Sequence, residues 1–387
     1  MKQVLFIESG VYEGGSFMSL AKHIEAINKT QIKPIIVFFN ENKWFDIYKE
    51  KGYNVYLVHD AVFSKKKNII PTLLNAFFMK GLIKWNVISF LSWLHKDAII
   101  SIENIIDKHQ INYVHLNTEL FRDRIGLIAA ANKKKPLISH LRSKYELGKV
   151  NFSKKYIEFA NKNVNKYIAV SKDTATFWVD KVKLEEAKFE ILYDYFEPLK
   201  TQPIEDVFQY DGLKLVCVAN IVPVKGLEFL LESCASILNE KNAKLFLLGK
   251  GEANYLATLK TKINQLQIQD SVEFLGFRNN VSDFLEQSDL VLLFSKREGL
   301  PNVIIEAMGV GSVIITTNVG GIPEIIDDNK NGFLVPYGDV KIATNTINSV
   351  LQMSKLNSKL LRKNAITTIG GKFSKEHYSL KITKLYE

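Results

Sequence analysis

Short runs of Val, Ile, Leu and Phe recur along this chain, each followed by a longer amphipathic stretch, and that alternation leaves few architectures open. Apolar runs without a polar face belong to strands buried on both sides, the situation of parallel sheets covered by helices. The fold class is therefore α/β. A first series of strands is predicted at 4–7, 35–39, 55–58, 113–116, 137–140, 167–170 and 189–192, and a second at 214–219, 244–248, 272–275, 290–294, 313–316 and 333–335. Between the series, Glu197-Pro198-Leu199-Lys200-Thr201-Gln202-Pro203 interrupts both periodicities and reads as a linker. Two Rossmann-like domains follow, 1–198 and 204–372, with a helical end, 373–387, expected to cross back onto the first.

At 387 residues, 47% hydrophobic and 24% charged, the chain has enough material for two cores. Its 51 Lys+Arg against 41 Asp+Glu leave a net charge of +10, which favours anionic partners. Cys217 and Cys234 are the only cysteines, one in a predicted strand and one in the helix after it. A disulfide framework and a cysteine metal cluster are thereby excluded, and a reducing cytoplasmic setting is expected. The opening MKQVLFIESG has its apolar run broken at Glu8 and reads as a strand and turn, not a secretory signal. In the apolar region 68–100, Lys80, Lys84, Asn86, His95 and Lys96 break any run of the roughly 18 residues a membrane span needs.

The most informative segment runs from Ser295 to Gly309, directly after a predicted strand. Its parse is strand, glycine-containing turn, helix. Pro301 suits the first helical position, where a missing N–H costs nothing, and the free amides around Asn302 and Val303 then form an anion site. Glu298 lies in the loop at the carboxyl end of the strand, where open α/β sheets bind ligands. Glu306 lies more than a turn into the helix among Val303, Ile304, Ile305, Ala307 and Met308, a setting in which a carboxylate needs a ligand or partner. A second strand-turn-helix segment, 218–227, places Lys225 at a helix start, where a bound anion offsets an otherwise unfavourable charge. Near the N-terminus, Glu13-Gly14-Gly15-Ser16 follows the first strand, and its glycines allow close backbone approach to a ligand.

These segments resemble the group 1 (family 4) glycosyltransferases, whose signature is a pair of glutamates eight positions apart, here Glu298 and Glu306, continued downstream by Thr316-Thr317-Asn318-Val319-Gly320-Gly321-Ile322-Pro323-Glu324. The resemblance is specific over roughly 215–335 and looser over 1–195. It implies a GT-B fold, two Rossmann-like domains facing each other across a cleft that holds the active site. By the same resemblance Glu306 holds the donor ribose, Glu298 contacts hydroxyls of the transferred sugar, and Gly299, Leu300, Pro301, Asn302 and Val303 lie against the diphosphate. Lys225 neutralises the leaving diphosphate, and Gly14 and Gly15 cover it from the first domain. Where many relatives carry an arginine, five positions before the lysine, this chain has Asn220. His140 matches the histidine beside the transferred sugar, with His115 as the lower-ranked alternative. Ser171 reads as a helix cap. Tyr193-Asp194-Tyr195 departs from the Asn-Gly pair of many relatives.

The implied function is retaining transfer from a nucleotide-diphosphate sugar, UDP-linked or otherwise, to a hydroxyl of a glycan or lipid-linked acceptor, in cell-surface polysaccharide or glycolipid synthesis. No Asp-x-Asp pair and no zinc-like histidine spacing occur, so no metal and no cofactor beyond the substrate is expected. The absence of an interleaved basic and aromatic motif sets nucleic acid aside. Lys65-Lys66-Lys67, ahead of Phe77, Phe78, Trp85, Phe90 and Trp93, is either a solvated loop beside a helical cover or a seat on an anionic membrane surface; Lys133-Lys134-Lys135 is a second basic cluster. The rival of another class is a catalytically weakened GT-B scaffold in a glycan-assembly complex, suggested by Asn220.

Overall fold

The computed structural model describes residues 1–10, 15–60, 87–144, 153–197 and 206–387. Gly14, Lys65 to Lys67, Phe77, Phe78, Trp85 and 198–203 of the expected linker lie outside the described residues. By contact the chain divides into Met1–Tyr193 with Tyr378–Glu387, and Asp194–His377. The corresponding boundaries read from sequence are 198 and 373.

The first unit holds β1 (Lys2–Glu8), β2 (Ile32–Phe38), β3 (Asn54–Leu57), β4 (Tyr113–Leu116), β5 (Leu137–Leu141), β6 (Lys166–Ala169) and β7 (Phe189–Ile191). They form one sheet in the order β3-β2-β1-β4-β5-β6-β7, with every pairing parallel. The second unit holds β8 (Leu213–Val218), β9 (Ala243–Leu248), β10 (Val272–Gly276), β11 (Leu290–Leu293), β12 (Ile314–Thr317) and β13 (Phe333–Val335), in the order β10-β9-β8-β11-β12-β13, again all parallel. Every strand expected from the apolar runs is present, and both units are doubly wound Rossmann-like sheets.

The central strands explain why the runs are unbroken. Val4, Leu5, Phe6 and Ile7 of β1 are all fully buried, because successive side chains point to opposite faces and both faces are covered. Leu5 and Ile7 join one core with Ile35, Val37, Val114, Leu116, Ile102 and Ile106. Each such residue contributes about 1.5–3 kcal/mol on leaving water. Helix entries are capped as their sequences suggest: Ser153 accepts from the Tyr156 amide, and Ser171 from the Thr174 amide at 3.0 Å.

The opposite face of the first sheet is aromatic and polar. Phe6 lies 5.2 Å from the His23 ring and 5.3 Å from that of His115, centroid to centroid, with Tyr386 at 6.2 Å. The Tyr386 hydroxyl meets His115 Nδ1 at 2.7 Å and His23 Nε2 at 2.9 Å, and the Tyr378 hydroxyl meets His23 Nδ1 at 3.1 Å. Lys2 Nζ donates to the carbonyls of Tyr386 and Glu387, and Ser379 Oγ to that of Ala26. The last residues of the chain are thus fastened to β1, β4 and the helix Gly15–Ala26.

Burial holds His23 and His140 well below the ordinary histidine pKa and pushes His115 down to about 3, with the Arg142 charge adding to the effect on all three. Unfolded, these imidazoles protonate near pH ~6.5. The unfolded state therefore binds more protons below that value, and stability is lost as the pH falls from there toward the folded-state values. Each histidine contributes a slope of about 1.4 kcal/mol per pH unit. Asp123, whose pKa burial raises, partly offsets this at the acid end. Thermal melts followed by fluorescence of Trp44, Trp93 and Trp178, all in the first unit, are expected to show a midpoint that falls steadily from about pH 7 to about pH 5. A flat profile over that range would show that the histidines are not buried neutral.

Candidate functional site

In the second sheet the strand order reverses between β8 and β11, and their carboxyl ends open the crevice where such sheets bind ligands. The loop after β8 makes a 3-10 turn, Pro223–Lys225, and then a left-handed Gly226 (φ +63°) before the helix Leu227–Glu240. Lys225 therefore stands on a short turn ahead of the helix instead of at the helix start expected from sequence. The loop after β11 runs alongside, joined by Lys296 N to Val224 O at 2.9 Å. Gly226 is required there, since a Cβ would stand 2.1 Å from the Phe294 carbonyl oxygen.

Across these loops Lys225 Nζ and Glu298 Oε1 form an ion pair of 2.6 Å, with side chains 22% and 9% exposed. Ser295 Oγ donates to the same Oε1 at 2.6 Å, and Thr317 Oγ1 at the end of β12 donates to the Ser295 carbonyl at 2.7 Å. Gly321 N donates to the Gly299 carbonyl at 2.6 Å, bringing in a third loop. Gly299 and Leu300 are buried beneath this arrangement.

Pro301 does not occupy the first helical position. With φ −76° and ψ 122° it is the extended cap residue, and the helix is Asn302–Gly309. The correction makes Asn302 and Val303 the first two residues of the helix, at its positive end. Glu306 lies half-buried on that helix, between buried Ile305 and Ala307. Asn220 is exposed in the loop after β8. This edge of the unit thus offers a cation and helix amides for an anion, and carboxylates for hydroxyl groups. Cys217 beneath it is a free thiol pushed up to about 12 by burial, so it is inert.

In the first unit the expected residues lie differently. Gly15 opens the helix Gly15–Ala26, is exposed, and faces open space where a Cβ would stand. His140 on β5 is fully buried beside His115 and His23, with ring centroids 5.7 and 6.3 Å away. Its Nδ1 stands 3.3 Å from Arg142 Nη2, and its Nε2 has no hydrogen-bond partner. Among the described residues these three histidines are the set whose ring nitrogens could converge on a metal, lying within 4.8 Å of one another. The Arg142 guanidinium beside them opposes a cation there.

Sequence reasoning passed over Glu8, which it read only as a break in an apolar run. At the carboxyl end of β1, beside the reversal point of the first sheet, this buried carboxylate accepts from Gly10 N at 2.7 Å, Thr118 Oγ1 at 2.8 Å, Ser16 Oγ at 3.2 Å and Asn117 Nδ2. Asp123, fully buried nearby, accepts from Ser9 Oγ at 2.5 Å and from the amides of Thr118 and Glu119 at 3.0 Å. Arg142 donates to the Asn117 carbonyl and side-chain oxygens, both at 2.9 Å. A carboxylate ending a central strand was the available signal.

Two doubly wound parallel sheets in one chain are the parts of the GT-B architecture, and the matches to solved structures assign that fold. HepE of Anabaena in complex with UDP-glucose superposes with a TM-score of 0.80 at 20% identity, covering 100% of this chain and 98% of that one. TarM of S. aureus, in complex with fondaparinux, α-GlcNAc-glycerol and UDP, gives 0.74 at 14% identity with all of both chains covered. Residues 203–367, the second unit but for its flanks, match the family described as glycosyl transferases group 1. Among curated relatives, N-acetyl-α-D-glucosaminyl L-malate synthase of Bacillus anthracis is 37% identical over 141 residues, 36% of each chain. The colanic acid biosynthesis glycosyltransferase WcaL of Escherichia coli K12, itself a putative assignment, is 34% identical over 138 residues, 33% of this chain and 34% of that one. The chain thus matches about a third of the length of these relatives.

Gly320 (φ +62°) tests the site's geometry, because a Cβ there would lie 2.2 Å from the Glu298 carbonyl oxygen. Gly338 (φ +87°) has nothing within 4 Å and carries only the backbone strain. Gly320→Ala is expected to lower stability by more than the roughly 1 kcal/mol that Gly338→Ala costs, in thermal melts and in scanning calorimetry alike. Equal effects in melts and in calorimetry would mean that the Glu298 loop is not held by that contact.

Proposed function

We propose that this protein is a retaining glycosyltransferase that moves a sugar from a nucleoside diphosphate donor to a hydroxyl of a glycan or lipid-linked acceptor. The observation that carries the reading is the Lys225–Glu298 pair at the reversal point of the second sheet, beside the amino end of the helix Asn302–Gly309. The donor diphosphate takes Lys225 Nζ and the first helix amides, and the released Glu298 carboxylate turns to hydroxyls of the transferred sugar. Glu306 takes the ribose. As the anomeric C–O bond breaks, its electrons pass to the diphosphate, whose charge Lys225 stabilises. The acceptor hydroxyl attacks from the face the diphosphate leaves, and its proton passes to the departing phosphate oxygen. Configuration is retained without an enzyme nucleophile, and Lys225 supplies the neutralisation that a metal provides elsewhere.

His140 contributes through its main chain at the end of β5, since its imidazole is turned into the histidine cluster and stays neutral. Gly15, with open space before it, fits contact with the diphosphate. The names of the relatives support polysaccharide assembly as the setting, and UDP in the HepE and TarM structures supports a uridine donor. No described helix is long and apolar enough to cross a membrane, and the proposed place of work is the cytoplasmic face of the cell membrane.

Nucleoside diphosphate release from a panel of nucleotide sugars is expected for one donor, and to fall by about 10²–10³ in both Glu298→Ala and Lys225→Ala. Absence of release with every donor, together with absence of nucleotide binding by calorimetry, would replace this reading with that of a GT-B scaffold.

A further inference from the structure

The helix Lys355–Gly370 of the second unit carries Lys355, Lys359, Arg362 and Lys363 and not one acidic residue. It packs inward through Leu361, Ala365 and Ile369. Outward it presents Leu356, Leu360 and Ile366 at 76%, 57% and 48% exposure. At helical spacing Leu356, Leu360 and Lys363 form one row and Lys355, Lys359, Arg362 and Ile366 the next, so apolar and cationic side chains share one face. A surface helix ordinarily keeps these apart and mixes both signs of charge.

Beside this face lies a cavity of about 330 Å³, with Val313, Val350 and Met353 at its floor and Lys355, Lys359 and Arg362 at its rim. That is the size of a small ligand, and the lining is divided between apolar residues and the polar Asp289, Lys355, Ser358, Lys359 and Arg362. Asp289 also borders it, its carboxylate accepting from Lys214 N at 2.8 Å and its negative charge partly offsetting Arg362, so Lys355 and Lys359 carry most of the attraction for an anion; Arg362 Nη1 donates to the Gly311 carbonyl at 2.9 Å. Residues 289 and 313 stand just ahead of β11 and β12, so the cavity opens at the amino edge of the sheet, the edge opposite Lys225 and Glu298. An occupant here does not compete with a donor there.

A simple anion would leave the exposed leucines unexplained, and an apolar ligand would leave the acid-free row of cations unexplained. We propose that this helix and cavity are a seat for an anionic phospholipid in a bilayer surface, the headgroup among Lys355, Lys359 and Arg362 and the leucines entering the acyl boundary. The inference does not depend on the transfer chemistry; it gives the membrane contact of that reading a place on the second unit, where sequence had singled out Lys65 to Lys67.

The full chain is sedimented with vesicles of phosphatidylcholine, with and without phosphatidylglycerol, at low and raised salt. Binding is expected only with phosphatidylglycerol and should fall with salt, as each cation near such a surface contributes about 1 kcal/mol. Leu356→Glu/Leu360→Glu should cut it at least about tenfold, and Lys359→Ala/Lys363→Ala likewise, both at exposed positions that leave the fold and the nucleotide site intact. Thermal melts and nucleotide binding verify that they do. No binding to phosphatidylglycerol vesicles overturns the proposal, as does undiminished binding by the folded leucine variant. Displacement by inorganic phosphate beyond that of sodium chloride at equal ionic strength would show a phosphate site in place of a lipid one. Nucleotide binding is a separate readout, so failure here and failure of the transferase reading are distinguishable.

Discussion

A sheet of parallel strands buried on both faces confines its chemistry to the strand ends, and the end where the strand order reverses is the one not closed by a crossover helix. In the second unit that end brings the loops after β8 and β11 together, and one ion pair spans them, Lys225 with Glu298 at 2.6 Å. The surroundings serve that spacing. Gly226 and Gly320 stand where a Cβ would press within 2.1 and 2.2 Å of the carbonyls of Phe294 and Glu298. Ser295 fixes the carboxylate, and Thr317 fixes Ser295. Two opposite charges in a mostly buried place persist only when each satisfies the other, so removing either one leaves its partner uncompensated.

The first unit handles its interior polar groups in the opposite way. The clustered His23, His115 and His140 are held neutral by burial, the Glu8 carboxylate is saturated by donors from three segments, and the pKa of Asp123 is raised by burial. Such a network specifies geometry without presenting charge. Glu8 and Asn117 tie the end of β1 and the loop after β4 to the start of the helix Gly15–Ala26, the segment whose glycines drew attention from sequence. Tyr378 and Tyr386 close the far face, making the end of the chain part of the first core.

How much of this was legible follows from how local each cause is. Strands 4–7 and 290–294 could be read because a doubly buried strand writes its burial into consecutive residues. Ser171 could be read as a cap because capping acts over three residues. Glu298 and Lys225 were legible through a pattern of spacing, although their direct contact was not, since 73 residues separate them. The cluster of His23, His115 and His140 was hidden for the same reason: its hydroxyl partners arrive from residues 378 and 386, and burial of a histidine leaves no mark in its own neighbourhood. Pro301 was misplaced by one position because its fixed φ suits both the cap and the first helical residue, and only ψ separates them.

On the proposed function, the ion pair also sets the terms on which the site opens. Lys225 is not free to greet a donor; it must leave a carboxylate that already satisfies it. A diphosphate carries more charge than a carboxylate and can use the helix amides as well, so it can outbid Glu298 where a lone carboxylate or a neutral sugar cannot. Glu298, released in the same exchange, stays buried enough to need new donors, and sugar hydroxyls are the donors the bound molecule brings. Recognition of the two halves of the donor is thereby coupled: the diphosphate frees the group that reads the sugar, and the sugar satisfies the group that the diphosphate has left unpaired.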